Sequence, residues 1–337
     1  MMIGRKIRII LALIMIAAAG PVFAQRTITI KMASPLPENT PWGQFFNQLA
    51  ADWKKISNGE VELIIYHNGA AGGEKDVVRN LRVNQIQAAV LSTYGLYEIS
   101  PEVMTLSFPF LIRDDDELDL VMTGVKSELE EKINSKGFFT LAWARVGWIK
   151  FFSKQPIFTP ADLKKQKLGT HVDQAEMNQI FKTMGFQMIP VAYNDILIAL
   201  NSSMVEVVFQ SPMVVGSTQI FGSARNMASI NVAPFVGAIV FNQRTWRAIP
   251  EKYKPQLIAS ARRAEAELDR TVKEMENDVI KTMEKYGLKV NKLTPEQEQL
   301  WYDEIGHATP GLIGTMLDRN TYNSIDTIVR NYRNRNR

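Results

Sequence analysis

Three histidines, an acidic run and a glycine pair are the residues of this chain whose types could do chemistry. His67, His171 and His307 lie far apart, and none belongs to an H-E-x-x-H or other ligand spacing, so a zinc site is not expected. Asp114-Asp115-Asp116-Glu117 carries charge enough for calcium but lacks the alternating ligands and glycine of an EF-hand loop. Acidic residues opening a helix that runs to Met122 explain it, because they favour the positive end of the helix dipole. Gly72-Gly73-Glu74 fits neither a Walker loop nor G-x-G-x-x-G and reads as a tight turn. No G-x-S-x-G elbow is present, and the absence of cysteine removes thiolate nucleophiles, disulfides and Cys-ligated metals. No cofactor is expected. A hydrolase or lyase would need two carboxylates brought together by the fold, which nothing in the sequence marks. Binding is therefore the expected class, and catalysis is not.

The elements that would position a binding site alternate regularly. Thr27–Ala33 and Val61–Tyr66 read as strands, separated by a helix over Pro41–Ser57 with Trp42, Phe45, Phe46, Leu49 and Trp53 at helical spacing. A helix over Glu74–Val83 and a strand over Ala88–Ser92 complete a β-α-β-α-β order, which implies a mostly parallel, doubly wound sheet. Leu106–Ile112, with Pro109 inside, reads as an irregular apolar segment under a cleft. Leu141–Lys154 resumes strand-like sequence. Thr159-Pro160 starts a short helix, and Leu168 opens a strand that carries Gly169 toward an inter-domain surface. Helices over 173–184 and 194–200 alternate with strands over Gln187–Val191 and Val205–Phe209, and 231–241 reads as a strand returning to the first domain.

From Gln256 to Tyr286 there is no Pro or Gly, and an apolar stripe from Leu257 to Met283 predicts one helix long enough to brace two domains. Pro295 opens another helix. Arg330, Arg333, Arg335 and Arg337 read as a solvated tail. The fold class is α/β, two lobes with doubly wound mixed sheets and a long bracing helix. The expected division is 25–146 plus 235–272 for lobe I and 147–234 plus 273–337 for lobe II.

The chain has 337 residues, 46% apolar and 22% charged, with a formal net charge of +4. Arg5, Lys6 and Arg8 carry much of that charge. They belong to a basic leader followed by the apolar run Ile9–Ala19 and by Val22-Phe23-Ala24, with small residues at −3 and −1. This reads as a signal peptide over 1–24, cleaved after Ala24. Without a cysteine at that junction no lipid can be attached, so a periplasmic protein that is not a lipoprotein is expected. The nearly balanced remainder argues against nucleic acid.

Several stretches resemble one family in order and spacing: IKMASPLPENTPWG at 30–43, YHNGAAGGEKDVVRNLRVNQIQAAV at 66–90, SPEVMTLSFPFLIRDDDE at 100–117, PADLKKQKL at 160–168 and MGFQMIPVAYNDILIALNSSMVEVVFQSP at 184–212. They resemble the solute-binding subunits of tripartite ATP-independent periplasmic (TRAP) transporters along nearly all of the chain after residue 24. The resemblance implies a periplasmic two-lobed binding-protein-like fold, a small-molecule solute, and delivery to membrane permease subunits driven by an ion gradient. Relatives of this kind mostly bind organic acids, through an arginine that here is replaced by Gly169; a second arginine of sialic-acid-binding relatives falls at Ile149.

Without those cations a buried carboxylate would cost at least several kcal/mol. The resemblance therefore implies an apolar or amphipathic solute, held by Trp42, Ile149, Phe151, Tyr193 and Phe235 and oriented by Ser92, Thr93, Tyr94, Gln210 or Ser211. Strand alternation puts Ile149 and Phe151 on one face. The alternative is an organic acid met by relocated cations, His171 or Arg145. Some relatives lacking the arginine are associated with a tetratricopeptide-repeat periplasmic partner, and the resemblance implies such a partner as an expectation for this chain. A scaffold whose cleft is filled by its own side chains would show no cavity between the lobes.

Overall fold

The computed structural model describes residues 27–172, 174–192 and 195–336. Strand β1 (Ile28–Ala33) encloses Ile30 and Met32 and stops at Ser34-Pro35. Thr40 then caps helix α1 (Pro41–Ile56): its hydroxyl accepts the Gly43 N–H at 3.2 Å, and Pro41 takes a first-turn position where no amide donor is needed. Next come β2 (Val61–Tyr66), α2 (Glu74–Arg82), β3 (Ala88–Ser92), the short α3 (Thr93–Tyr97) and a 3-10 turn over Pro101–Ser107. Helix α4 (Asp115–Ser135) is capped by Asp114, whose carboxylate accepts the Glu117 N–H at 2.8 Å. It runs well past Met122 because Val121, Val125, Leu129 and Ile133 continue the buried stripe beyond Gly124.

Strand β4 (Phe138–Ser153) is followed by α5 (Pro160–Lys164), β5 (Lys167–His171), α6 (Ala175–Thr183), β6 (Gln187–Val191), α7 (Ile196–Asn201), β7 (Val207–Gln210), α8 (Pro212–Ser217), β8 (Asn226–Ala228) and β9 (Ala233–Asn242). The chain closes with α9 (Gln243–Ala248), α10 (Lys254–Lys285), β10 (Lys289–Asn291), α11 (Pro295–Leu312) and α12 (Arg319–Arg335). The strand order is β2-β1-β3-β9-β4-β7-β5-β6, with β8 beside β4 and β10 beside β8.

Two mixed sheets thus meet on one strand. The β1–β2 and β1–β3 pairs are parallel, and β9 runs antiparallel between β3 and β4. β4 leaves β9 near Ile149 and continues antiparallel to β7 and β8 in the second sheet. Its register slips at Thr140/Ala142 and again at Arg145/Gly147, and such bulges bend a strand and sharpen its twist. The second slip lies just before β4 passes from β9 to β7 at Ile149/Lys150. Helix α10, about 48 Å long for its 32 residues, packs on α1, runs along β4 and reaches α8, so it braces both lobes as the unbroken stripe predicts.

The arginine-rich end differs from the expectation of a solvated tail. It forms α12, which turns back at Gly314 (φ +85°) and packs against α4 in lobe I rather than staying with lobe II. The approach is close: a Cβ on Gly124 would lie 2.5 Å from Ile328 Cδ1. Arg333 pairs with the buried Glu117 at 2.6 and 2.7 Å and donates to the Leu111 carbonyl at 2.8 Å. Arg337 lies outside the described residues. Among the described residues no helix is long and apolar enough to cross a membrane.

Candidate functional site

Strands β3, β5 and β7 all end at the same seam, where β4 crosses between sheets and β9 begins. Ligands of open α/β sheets bind outside such carboxyl ends. A cavity lies there, walled by Thr93, Tyr94, Ser107 and Pro109 of lobe I, by Met177 and Phe209 of lobe II, and by Ile149 and residues 232–235 of the crossing strands. It encloses about 10 Å³, roughly the room of one water. None of these lining side chains is charged.

The polar groups of the seam are largely committed to one another. Ser92 caps α3 by accepting the Tyr94 N–H at 3.2 Å, while its own hydroxyl and N–H donate to the Glu74 carboxylate at 2.6 and 2.5 Å. Thr93 and Ser107 share a hydrogen bond of 2.9 Å, and the Ser107 hydroxyl reaches the Pro234 carbonyl at 3.2 Å. Ser211 caps α8 through the Val214 N–H, and the Gln210 side-chain carbonyl accepts the Ser211 N–H at 3.1 Å. Burial pushes the Glu74 carboxyl above its usual range, against the opposing pull of its bonds from Ser92. Tyr94 is raised as well, by burial first and then by the nearby Glu74 and Glu176 carboxylates.

Of the residues expected at the site, Thr93, Tyr94, Ile149 and Phe235 line this cavity. Ser92 and Ser211 are helix caps and Gln210 holds the Ser211 N–H, and none of the three lines the cavity. Phe151 is fully buried, stacked on Trp301 at 5.3 Å and edge-on to Phe181 at 6.2 Å, so it supports the wall from behind. Trp42 is 4% exposed in the lobe I core beside Phe46 and Trp53. Gly169 does not face the seam: a Cβ there would meet Val205 at 3.1–3.2 Å, inside the lobe II core. His171, half buried at the end of β5, is not part of the cavity wall. Tyr193 lies outside the described residues. Arg145 points away from the cavity into an acidic cluster, pairing with Asp119, with Asp269 at 3.1 Å and with Asp115 at 3.6 Å.

The sequence reading did not single out Met177, Val232 or Pro234, nor Glu74 as the support of the Ser92 turn. Gly95 was the available signal for Glu74, since a Cβ at 95 would stand 3.0 Å from that carboxylate. The three histidines are not brought together, and among the described residues no cluster of His, Asp or Glu could hold a metal.

Beside the seam, Glu276 of α10 accepts the Trp148 N–H at 3.1 Å, under the bulge at Gly147. Lys150 is 8% exposed and donates to the Ser229 carbonyl at 2.9 Å and to Asn231 Oδ1 at 2.7 Å. Burial pushes its pKa down to about 8, partly opposed by Glu276. The unfolded chain therefore binds more protons than the folded one between pH 8 and the ordinary lysine range, so stability rises with pH across that window. Between pH 8 and 9.5 the gain is expected to be about 1.5 kcal/mol. It should be absent from Lys150→Met when urea unfolding is compared across that range.

A family model described as bacterial extracellular solute-binding protein, family 7, matches residues 32–310. The 2,3-diketo-L-gulonate-binding periplasmic protein YiaO of Escherichia coli is 24% identical over 265 residues, 78% of this chain and 79% of that one. The C4-dicarboxylate-binding periplasmic protein DctP of Rhodobacter capsulatus is 24% identical, over 85% of this chain and 86% of its own. A TRAP periplasmic solute-binding protein from Sulfurospirillum deleyianum, solved with bound succinate, has a TM-score of 0.78 at 22% identity, covering 89% of this chain and 97% of that one. The sugar-acid-binding protein DctPAm of Advenella mimigardefordensis, in complex with galactonate, has a TM-score of 0.81 at 17% identity, covering 91% and 99%. At these identities the structural likeness shows the fold.

Proposed function

The chain belongs to bacterial extracellular solute-binding protein family 7, and from that membership we propose that it captures an apolar or amphipathic small molecule in the seam between its lobes and delivers it to a TRAP-type membrane permease. It is a solute-binding protein and not an enzyme. The observation that carries the ligand class is the wall of the seam: among the described residues it offers aromatic, aliphatic and hydroxyl surface and no cation. A buried carboxylate there would lack the charge-assisted bonds, each worth about 1.5–3 kcal/mol, that offset its desolvation.

The volume supports movement of the lobes. A space of about 10 Å³ admits no solute, so entry requires the lobes to separate, with β4 and α10 as the elements that cross between them. The same small volume would suit a scaffold closed on its own side chains; membership of a solute-binding family weighs against that. A tetratricopeptide-repeat partner rests on the resemblance alone, and export with cleavage after Ala24 concerns residues outside those described.

The relatives' carboxylate and sugar-acid ligands favour a second reading, an organic-acid receptor with a cation brought in as the lobes close. Native mass spectrometry of protein purified from the periplasm, followed by calorimetry with the copurifying molecule and with succinate, separates the two. The expected outcome is an apolar or amphipathic passenger and no succinate heat at millimolar concentration. Micromolar succinate binding that is lost in His171→Ala would overturn the apolar reading.

A further inference from the structure

Helix α10 and strand β4 both run from one lobe to the other, and they are fastened together around the bulge of β4 at Arg145/Gly147. Both edges of that bulge are tied to the same two helices. Before it, the Arg145 guanidinium pairs with Asp119 of α4 and with Asp269 of α10, the latter at 3.1 Å. After it, the Trp148 indole N–H donates to Asp115 of α4 at 3.2 Å, and the Trp148 backbone N–H donates to Glu276 of α10 at 3.1 Å. Asp115 and Asp119 stand one turn apart, and Asp269 and Glu276 two turns apart, so each helix presents a pair of carboxylates to the strand along one face. Lys273, between the α10 pair, reaches Asp115 at 3.4 Å and joins the two helices directly.

Glu276 occupies the most exacting place of the four. A Cβ on residue 147 would collide with its Oε2, and the backbone there has φ +115°, so a glycine at the bulge is what lets the carboxylate reach the strand. The residue is buried. Burial pushes its carboxyl above the usual range; Lys150 and the Trp148 N–H favour its charge, and Asp115 opposes it. Both favourable groups sit on β4 beyond the slip, beside Ile149/Lys150, where the strand passes from the first sheet to the second. Lys150 is itself held by the Ser229 carbonyl and Asn231, just ahead of β9, the other strand at the crossing. A buried carboxylate deprived of such partners is costly. A rotation of the second sheet about the bulge that draws Trp148 and Lys150 away from α10 is therefore opposed by Glu276.

We propose that the bulge at 145–148 is the pivot on which the two lobes separate, and that Glu276 is a positioning residue that holds the pivot at its closed angle by accepting the Trp148 N–H. This rests on the reading that solute capture requires the lobes to move. With about 10 Å³ in the seam, the structure has the lobes together and the bond made. Opening releases it, so the strength of this bond sets the share of molecules open to solute before any has bound.

The chain has no cysteine, so spin labels can be placed through Val83→Cys on lobe I and Lys182→Cys on lobe II, both exposed positions. Double electron–electron resonance then reads the distance between them in protein stripped of passengers by unfolding and refolding. One main short separation is expected. Glu276→Leu should raise the population at longer separation about fivefold, whereas Glu276→Gln, which keeps an acceptor for the Trp148 N–H, stays within about twofold. Met283→Ala, buried on the same helix, weakens the fold without moving the labels, which separates a pivot from a general loss of stability. Should Glu276→Leu fail to fold, Asp115→Ala at its partly exposed position decides, with a rise of about threefold expected. Wild-type separations in the variant, when the wild type itself changes separation on taking up its copurifying solute, would overturn the pivot and leave the moving lobes standing. One unchanging separation in wild type and variants alike, loaded or stripped, would remove the movement of the lobes and the pivot with it.

Discussion

Glu74→Ala is expected to weaken solute binding at the seam by roughly a hundredfold, although Glu74 is not part of the cavity wall. Its two carboxylate oxygens hold the Ser92 hydroxyl and N–H at 2.6 and 2.5 Å, and Ser92 in turn caps the helix that presents Thr93 and Tyr94 to the cavity. Bonds to a charged group contribute about 1.5–3 kcal/mol each. Losing both, and leaving the Ser92 donors without acceptors, frees the turn to shift. Every 1.4 kcal/mol of lost preorganisation is about tenfold in affinity. Glu74→Gln keeps the shape and one acceptor but turns an amide donor toward a donor, so an intermediate loss is expected. Calorimetry with the copurifying solute, beside unfolding curves for each variant, separates a weakened site from a weakened fold. Unchanged affinity in Glu74→Ala would show that the turn is held by its other contacts.

Gly147→Ala is expected to lower the unfolding free energy by about 4 kcal/mol and Tm by about 8 °C. Two penalties combine. Residue 147 sits at φ +115°, where a side chain is strained by about 1–3 kcal/mol. The new Cβ would also lie 2.3 Å from Glu276 Oε2, driving that carboxylate off the Trp148 N–H at a further cost of about 1.5–3 kcal/mol. A double-mutant cycle with Glu276→Ala tests the cause: if the clash contributes, the two losses sum to more than the double variant suffers. Additive losses would assign the whole effect to the backbone. The bulge at Gly147 lies just before β4 passes between sheets at Ile149/Lys150, so the same substitution is expected to disturb the relative placement of the lobes.

The elements that close on themselves locally were legible in the sequence. α1 has Thr40 and Pro41 at its start and a stripe of aromatics, and α10 has its stripe uninterrupted by Gly or Pro, so period and caps sufficed. Helix α12 was not legible, because Arg330, Arg333 and Arg335 dominate its composition while Thr321, Ile325 and Val329 bury the opposite face. The far end of α4 was hidden by Gly124, whose missing side chain is what lets Ile328 approach.

The site was partly legible for a similar reason. Alternation alone puts Gly169 and His171 on one face of β5 and Leu168 and Thr170 on the other, but which face meets the seam depends on how Val205 packs. Ile149 and Phe235 were reachable because they lie on the strands that cross between lobes. Met177 and Pro234 were not, since their place on the wall is fixed by the meeting of two lobes and leaves no local pattern.

The position of β9 in the chain also sets the order in which this molecule is able to fold. That strand fills the gap between β3 and β4, yet the ribosome makes it only after β5, β6, β7 and β8 of the second lobe. Until Ala233–Asn242 arrives, β3 presents an open edge and lobe I has no closed sheet. Contacts so distant in sequence make for slow folding. A nascent chain of this design completes the sheet of its first lobe only late in its synthesis.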